Sequence, residues 1–108
     1  MSVRADFVRD SLRRPFDPLA VKEGATEDVV LNAPAIGPEV TGRDAVAEAI
    51  ETFFIEARPT YRLEGDLVEQ GDFVVAFAEA SVAGETRHLC LVYRFEGDLL
   101  SGLWVVRA

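Results

Sequence analysis

The sequence predicts an α+β fold in which a curved antiparallel sheet folds over helices and encloses a pocket of small-molecule size. Three observations predict it. Val46, Ile50, Phe53, Phe54 and Ala57 recur at helical spacing and make one broad apolar face. From Thr60 onward the pattern changes to alternation between apolar and polar residues. Turn signals at Gln70-Gly71-Asp72, Ala83-Gly84 and Glu96-Gly97-Asp98 then divide the remainder into four strands.

The elements follow in order. Ser2 is placed to cap a short helix with the apolar face Val3, Phe7, Val8 and Leu12, ended by Pro15. Asp17 before Pro18 is a cap with proline at the first helical position, and Gly24 is placed to stop that turn. Asp28, Val29, Val30 and Leu31 read as a strand, closed by Asn32, Ala33 and Pro34. The segment up to Gly42 contains Pro34, Gly37 and Pro38 and is expected to be irregular. Thr41 and Asp44 resemble a capping box, with Asp in place of Glu, for the long helix that exits at Pro59. The four strands fall at 60–69, 73–82, 85–95 and 99–107. Their short connections make an antiparallel meander, and Gly65 is placed to form a bulge that curls the sheet.

Hairpin register sorts the side chains into two faces. A two-residue Ala83-Gly84 turn sets Val82 against Glu85, Ala80 against Arg87 and Ala78 against Leu89. One face then carries Val74, Ala76, Ala78, Ala80 and Val82 beside Arg87, Leu89, Leu91 and Tyr93. A two-residue Gly97-Asp98 turn adds Gly102, Trp104 and Val106 to it, with Tyr61, Leu63 and Leu67 from the opening strand. A three-residue turn would reverse Trp104. Small residues among large ones leave volume on this face, which is either filled by Phe7, Phe53 and Phe54 or is a pocket. The other face carries Phe73, Val75, Phe77 and Glu79 beside His88, Cys90 and Val92. Its middle is apolar, and the one sizeable helix covers only one side of the sheet. The second face is therefore expected to meet another copy of the chain in a symmetric dimer.

At 108 residues there is room for one domain, expected to span 1–108. A chain of this length hides roughly 60–65% of its unfolded surface and needs no disulfide or metal to fold. A net charge of −8, with eleven Lys and Arg spread along the chain, argues against nucleic acid as a partner. Cys90 is the only cysteine, so no intramolecular bridge forms and a reducing compartment fits best. No apolar run reaches membrane-spanning length, and the first residues lack a signal-peptide core. The expectation is a cytoplasmic protein without a membrane partner.

Four local strings, in order, resemble the nuclear transport factor 2-like superfamily, in particular its SnoaL-like branch. They are Glu27-Asp28-Val29-Val30, Thr41-Gly42-Arg43-Asp44-Ala45-Val46, Gln70-Gly71-Asp72-Phe73-Val74-Val75 and Tyr93-Arg94-Phe95-Glu96-Gly97-Asp98-Leu99. The resemblance implies a conical α+β barrel, with dimers formed through the outer sheet face. The superfamily includes ketosteroid isomerases, polyketide cyclases, dehydratases, epoxide hydrolases and members without a catalytic role, so fold does not fix function. The general-base position of the steroid isomerases corresponds here to Ala33, preceded by Asn32, and neither takes a proton at neutral pH. The isomerase acid falls near Leu91 or Tyr93 and its tyrosine near Arg9. Tyr93 is thus the one catalytic candidate, as a hydrogen-bond donor, and enzyme status stays open.

The expected ligand-binding set is Asn32, Phe53, Tyr61, Ala76, Ala78, Arg87, Leu89, Leu91, Tyr93 and Trp104, around a small apolar molecule. Tyr93 and Trp104 read equally as an aromatic wall or as core. Arg87 suits a carboxylate ligand, or pairs with Glu85 or a loop acid. His88 lies opposite Glu79, a cross-strand pair contributing roughly 0.2–1 kcal/mol. Asp28 reads as a surface carboxylate or helix-end cap, and Arg43 as a tie to the preceding loop. Cys90 reads as an inert packing thiol. No metal or cofactor is expected. The dimer face comprises Val75, Phe77, His88, Cys90 and Val92. The competing reading is a non-catalytic interaction or assembly module whose barrel is plugged by Phe53, Phe54 and Trp104.

Overall fold

A computed structural model describes residues 2–13 and 17–108. The elements run α1 (Val3–Ser11), α2 (Pro18–Gly24), β1 (Ala25–Asn32), β2 (Val40–Thr41), α3 (Arg43–Ala57), β3 (Thr60–Leu63), β4 (Val68–Gln70), β5 (Phe73–Val82), β6 (Glu85–Glu96) and β7 (Leu99–Arg107). One seven-stranded sheet has the order β2-β1-β7-β6-β5-β3, with β4 also paired to β5. The predicted meander is the antiparallel part of this sheet. β1 closes it by pairing with β7 in parallel, joining the first strand of the chain to the last.

Local chemistry explains the helix ends. The Ser2 hydroxyl accepts from the Ala5 N–H, and the Asp17 carboxylate accepts from the Leu19 N–H with Pro18 following it. Pro15 lies outside the described residues. The expected Thr41–Asp44 capping box does not form. Thr41 pairs with Val30 in β2, inside the segment expected to be irregular, and the chain turns into α3 at Gly42 with φ +102° and no side-chain cap. Gly24 owes its place to packing rather than to a left-handed turn. A Cβ there would lie 2.6 Å from the Phe7 ring, so the missing side chain lets α1 sit on α2. At the other end of α3, Arg58 is left-handed and buried Pro59 follows.

Three irregularities curl the sheet. The expected strand 60–69 is split around Gly65, so that five steps from Leu63 to Val68 oppose three from Ala78 to Val75. The β1–β7 register shifts between Ala25 and Val30. Between β6 and β7, Phe95 faces Leu100 while Arg94 faces Gly102, which leaves Ser101 as an extra residue.

The Ser101 bulge corrects the predicted face of the last strand. The Gly97-Asp98 turn does contain two residues, with Glu96 opposite Leu99. The extra residue then reverses the alternation, so Leu103 and Val105 sit opposite Tyr93 and Leu91 on the inner face. Trp104 and Val106 sit opposite Val92 and Cys90 on the outer face. The β5–β6 register is as predicted, with Ala78 opposite Leu89 and Ala80 opposite Arg87.

The core lies on the concave face, where Val74, Ala76 and Ala78 of β5 and Tyr93 and Phe95 of β6 join Val8, Val29, Leu31 and Val46. α1 closes one end. Phe7 meets Phe95 edge-on at 5.9 Å, and the Arg4 guanidinium stacks over Phe95 while donating to the carbonyls of Gly97 and Gly71. Among the described residues, no helix is long and apolar enough to cross a membrane.

Candidate functional site

The inner row of β6 runs from the closed end to an open one. Phe95, Tyr93 and Leu91 are buried, Leu89 is partly buried and Arg87 is exposed. A cavity of about 780 Å³ begins at Leu91 and opens past Arg87. Its walls are Leu89 and Leu91 of β6, Ala80 and Val82 of β5, Val105 of β7, Tyr61 of β3 and Phe53 of α3. The segment Ala33, Pro34, Ala35 and Ile36 forms the remaining wall, held in a turn by the Ile36 N–H donating to the Ala33 carbonyl. Glu85, Arg87 and Arg107 stand at the mouth. The volume suits a drug-sized molecule.

Five expected ligand residues, Phe53, Tyr61, Arg87, Leu89 and Leu91, line this cavity. The other five do not. Asn32 points away because alternation in β1 turns Leu31 inward, and its amide lies 3.4 Å from Glu39. Ala76 and Ala78 are fully buried within the core cluster and do not reach the cavity lining. Trp104 is carried to the outer face by the Ser101 bulge, where Arg94 stacks over its ring at 5.1 Å. Tyr93 is fully buried, one turn of the pleat deeper than the cavity.

Hydrogen bonding separates the two tyrosines. The Ser11 hydroxyl donates to the Val8 carbonyl at 2.7 Å, so its one proton is used, and the Tyr93 hydroxyl donates to Ser11 at 2.9 Å. Burial pushes the Tyr93 hydroxyl pKa upward, opposed by the Ser11 bond. Tyr93 is thus a hydrogen-bonded core residue that lies outside the cavity lining. The Tyr61 hydroxyl makes no hydrogen bond to a described residue and borders the cavity, its ring propped by Phe54 at 6.1 Å. Burial pushes its pKa up to about 12, so it stays protonated and able to donate throughout the neutral range.

The remaining charged groups are at the rim or outside. Arg87 bonds Glu85 at 3.1 Å, one of the expected outcomes. Arg43 reaches Glu27 on β1 at 3.6 Å rather than the preceding loop. His88 faces Glu79 in register, yet its Nδ1 lies 2.8 Å from Glu64 while Glu79 pairs with Arg62. The Gly65 bulge brings Glu64 into reach, a neighbour that strand alternation alone does not show. Glu64, Glu79 and His88 lie close together on the outer side, away from the cavity. The position of the steroid-isomerase base, Ala33, borders the cavity with only a methyl group.

The wall segments missed by sequence reasoning are 33–36 and, on β7, Val105 and Arg107; Val106, expected on the pocket face, also borders the cavity at the strand end. The first lay in a stretch without periodicity, and the second was displaced by the bulge. Ala80 and Val82 were already legible on the inner row.

Helices closing one end of a strongly curved sheet, with a cavity at the other, define the nuclear transport factor 2-like cone. Within that class the chain belongs to the SnoaL-like domain family, which matches residues 11–103. No curated protein matches it. Among solved structures it is similar to an NTF2-like protein of unknown function from Cytophaga hutchinsonii, at 19% identity and TM-score 0.78, covering 100% of this chain and 91% of that one. It is similar to TerC co-crystallized with polyporic acid, at 18% identity and TM-score 0.79, covering 99% and 92%. A third is a protein of ketosteroid isomerase-like fold from Catenulispora acidiphila in complex with trimethylamine, at 15% identity and TM-score 0.79, covering 95% and 85%. At these identities the likeness concerns the fold.

Proposed function

We propose that the chain is a small-molecule-binding protein whose cavity takes an apolar body and whose Tyr61 hydroxyl donates a hydrogen bond to an acceptor on it. The observation that carries this reading is the pairing of a cavity of about 780 Å³ with one protonated hydroxyl that makes no hydrogen bond to a described residue. The small-molecule complexes of two structural relatives are consistent with it. We place it in the reducing cytoplasm that its lone Cys90 suits, as a homodimer through the outer sheet face.

A catalytic version would isomerise, cyclise or dehydrate an apolar carbonyl compound, with Tyr61 polarising the carbonyl oxygen. It lacks a placed base: among the described cavity residues Glu85 is the one carboxylate, and it stands solvent-exposed at the mouth. Binding is therefore the stronger reading. The filled-barrel alternative named Trp104 as one of three plugs, and it is less favoured because Trp104 pairs on the outer face and Phe53 borders open volume.

The test is a fluorescence titration with an aromatic ketone whose emission shifts to the blue in an apolar site. The protein should bind it, and Tyr61→Phe should weaken binding by roughly three- to tenfold, the range of one neutral hydrogen bond. No binding, or full affinity in Tyr61→Phe, would remove the reading.

A further inference from the structure

The mouth of the cavity carries a charge imbalance opposite to that of the chain. Arg107 sits directly opposite Leu89, and Arg87 lies two residues further along the same inner row of β6. The two arginines are therefore diagonal neighbours on one face of the sheet, where like charges repel. One acid borders them, Glu85, and it is engaged with Arg87. Arg107 makes no ion pair with a described residue. The whole chain has a net charge of −8, yet two cations and one anion meet at the rim of its apolar cavity.

Resting on the cavity reading above, we infer that the ligand is an amphipathic organic anion: an apolar body inside, and a carboxylate or comparable oxyanion held between Arg87 and Arg107. Glu85 does not block this. Its contact with Arg87 uses one terminal nitrogen and is solvent-exposed on both sides, so it contributes little and yields readily. The other N–H groups of Arg87 and the fork of Arg107 are suited to a planar oxyanion. The inner row from Arg87 to Leu91 spans four strand steps, about 13 Å. A body of two to four fused rings fits that depth, with Tyr61 in the cavity wall as a neutral donor to a second polar atom.

Matched probes decide it: naphthalene and pyrene carboxylates against their carboxamides, titrated by fluorescence at low salt. Each carboxylate should bind about tenfold tighter than its amide, and the preference should shrink with added salt. Arg107→Gln and Arg87→Gln should each lower carboxylate affinity several-fold and leave the amides unchanged. Glu85→Gln should strengthen carboxylate binding by freeing Arg87. Amides that bind as tightly as the acids, or a preference that survives both arginine substitutions, would overturn the anion assignment while leaving the cavity standing. Failure of all four probes would instead contradict the cavity reading, and this inference with it.

Discussion

Tyr61 and Tyr93 carry the same side chain on the same inner surface and differ in what stands beside each. Tyr93 has Ser11 within 2.9 Å, and its hydroxyl is spent on the fold. Tyr93→Phe should therefore cost about 1 kcal/mol of stability and leave ligand affinity unchanged, measured by denaturant unfolding beside a probe titration. Tyr61→Phe should do the reverse. His88 gives a second prediction at this scale. Its pKa is raised above the ordinary 6.5 by the Glu64 hydrogen bond and charge, with a smaller contribution from Glu79, against desolvation and the Arg62 charge. A histidine raised in the folded state contributes stability that is complete below pH 6.5. That contribution disappears as pH climbs through the raised value. Melting temperature should therefore fall on going from pH 6 to mildly alkaline conditions, and Glu64→Gln should flatten the decline. A wild-type profile as flat as the variant's would contradict the pairing.

Among the elements, β7 shows how much of the fold was legible in the sequence and where legibility stopped. Regular alternation and two-residue turns placed β5 and β6 in register, residue by residue. They also gave the correct Gly97-Asp98 turn. A bulge leaves no such mark, because one extra buried serine looks like any other strand residue. Ser101 nevertheless reverses everything after it and moves Trp104 from the expected pocket to the outer face. Two interactions hold that arrangement. Arg94 donates to the Ser101 hydroxyl at 2.9 Å and stacks on Trp104, while Gly102 leaves the space the indole occupies. A Cβ at Gly102 would fall against the ring. Gly102→Ala should therefore displace Trp104, cost about 1–3 kcal/mol, and shift the emission of the only tryptophan to the red. Unchanged emission and stability would show that the indole does not lie over Gly102. The cavity wall at 33–36 was illegible for another reason: it is held by a local turn rather than by periodic burial.

On the scale of the whole molecule, the sheet has two unlike surfaces. The concave side holds the core at its closed end and the cavity at its open end. Across the convex side, Val68, Val75, Val92 and Trp104 form one cross-strand row, and Phe77, Cys90 and Val106 form the next. Phe77 and Val106 are 43% and 52% exposed, so this surface offers apolar area that a second copy would cover. The bulge enlarges it by adding Trp104. Sedimentation should report a dimer, and Phe77→Glu should convert it to a folded monomer with its ligand affinity intact. A wild-type monomer at micromolar concentration would remove the dimer and leave the cavity reading untouched.

In the proposed function the cavity, not the apolar outer surface, takes up small molecules. Methyl-resolved NMR of the protein titrated with an uncharged aromatic ketone tests it most directly, because valine and leucine methyls line both surfaces. Val82, Leu89, Leu91 and Val105 should shift together and saturate, while Val75 and Val92 stay in place. Shifts confined to Val75 and Val92, or none at all, would contradict the account.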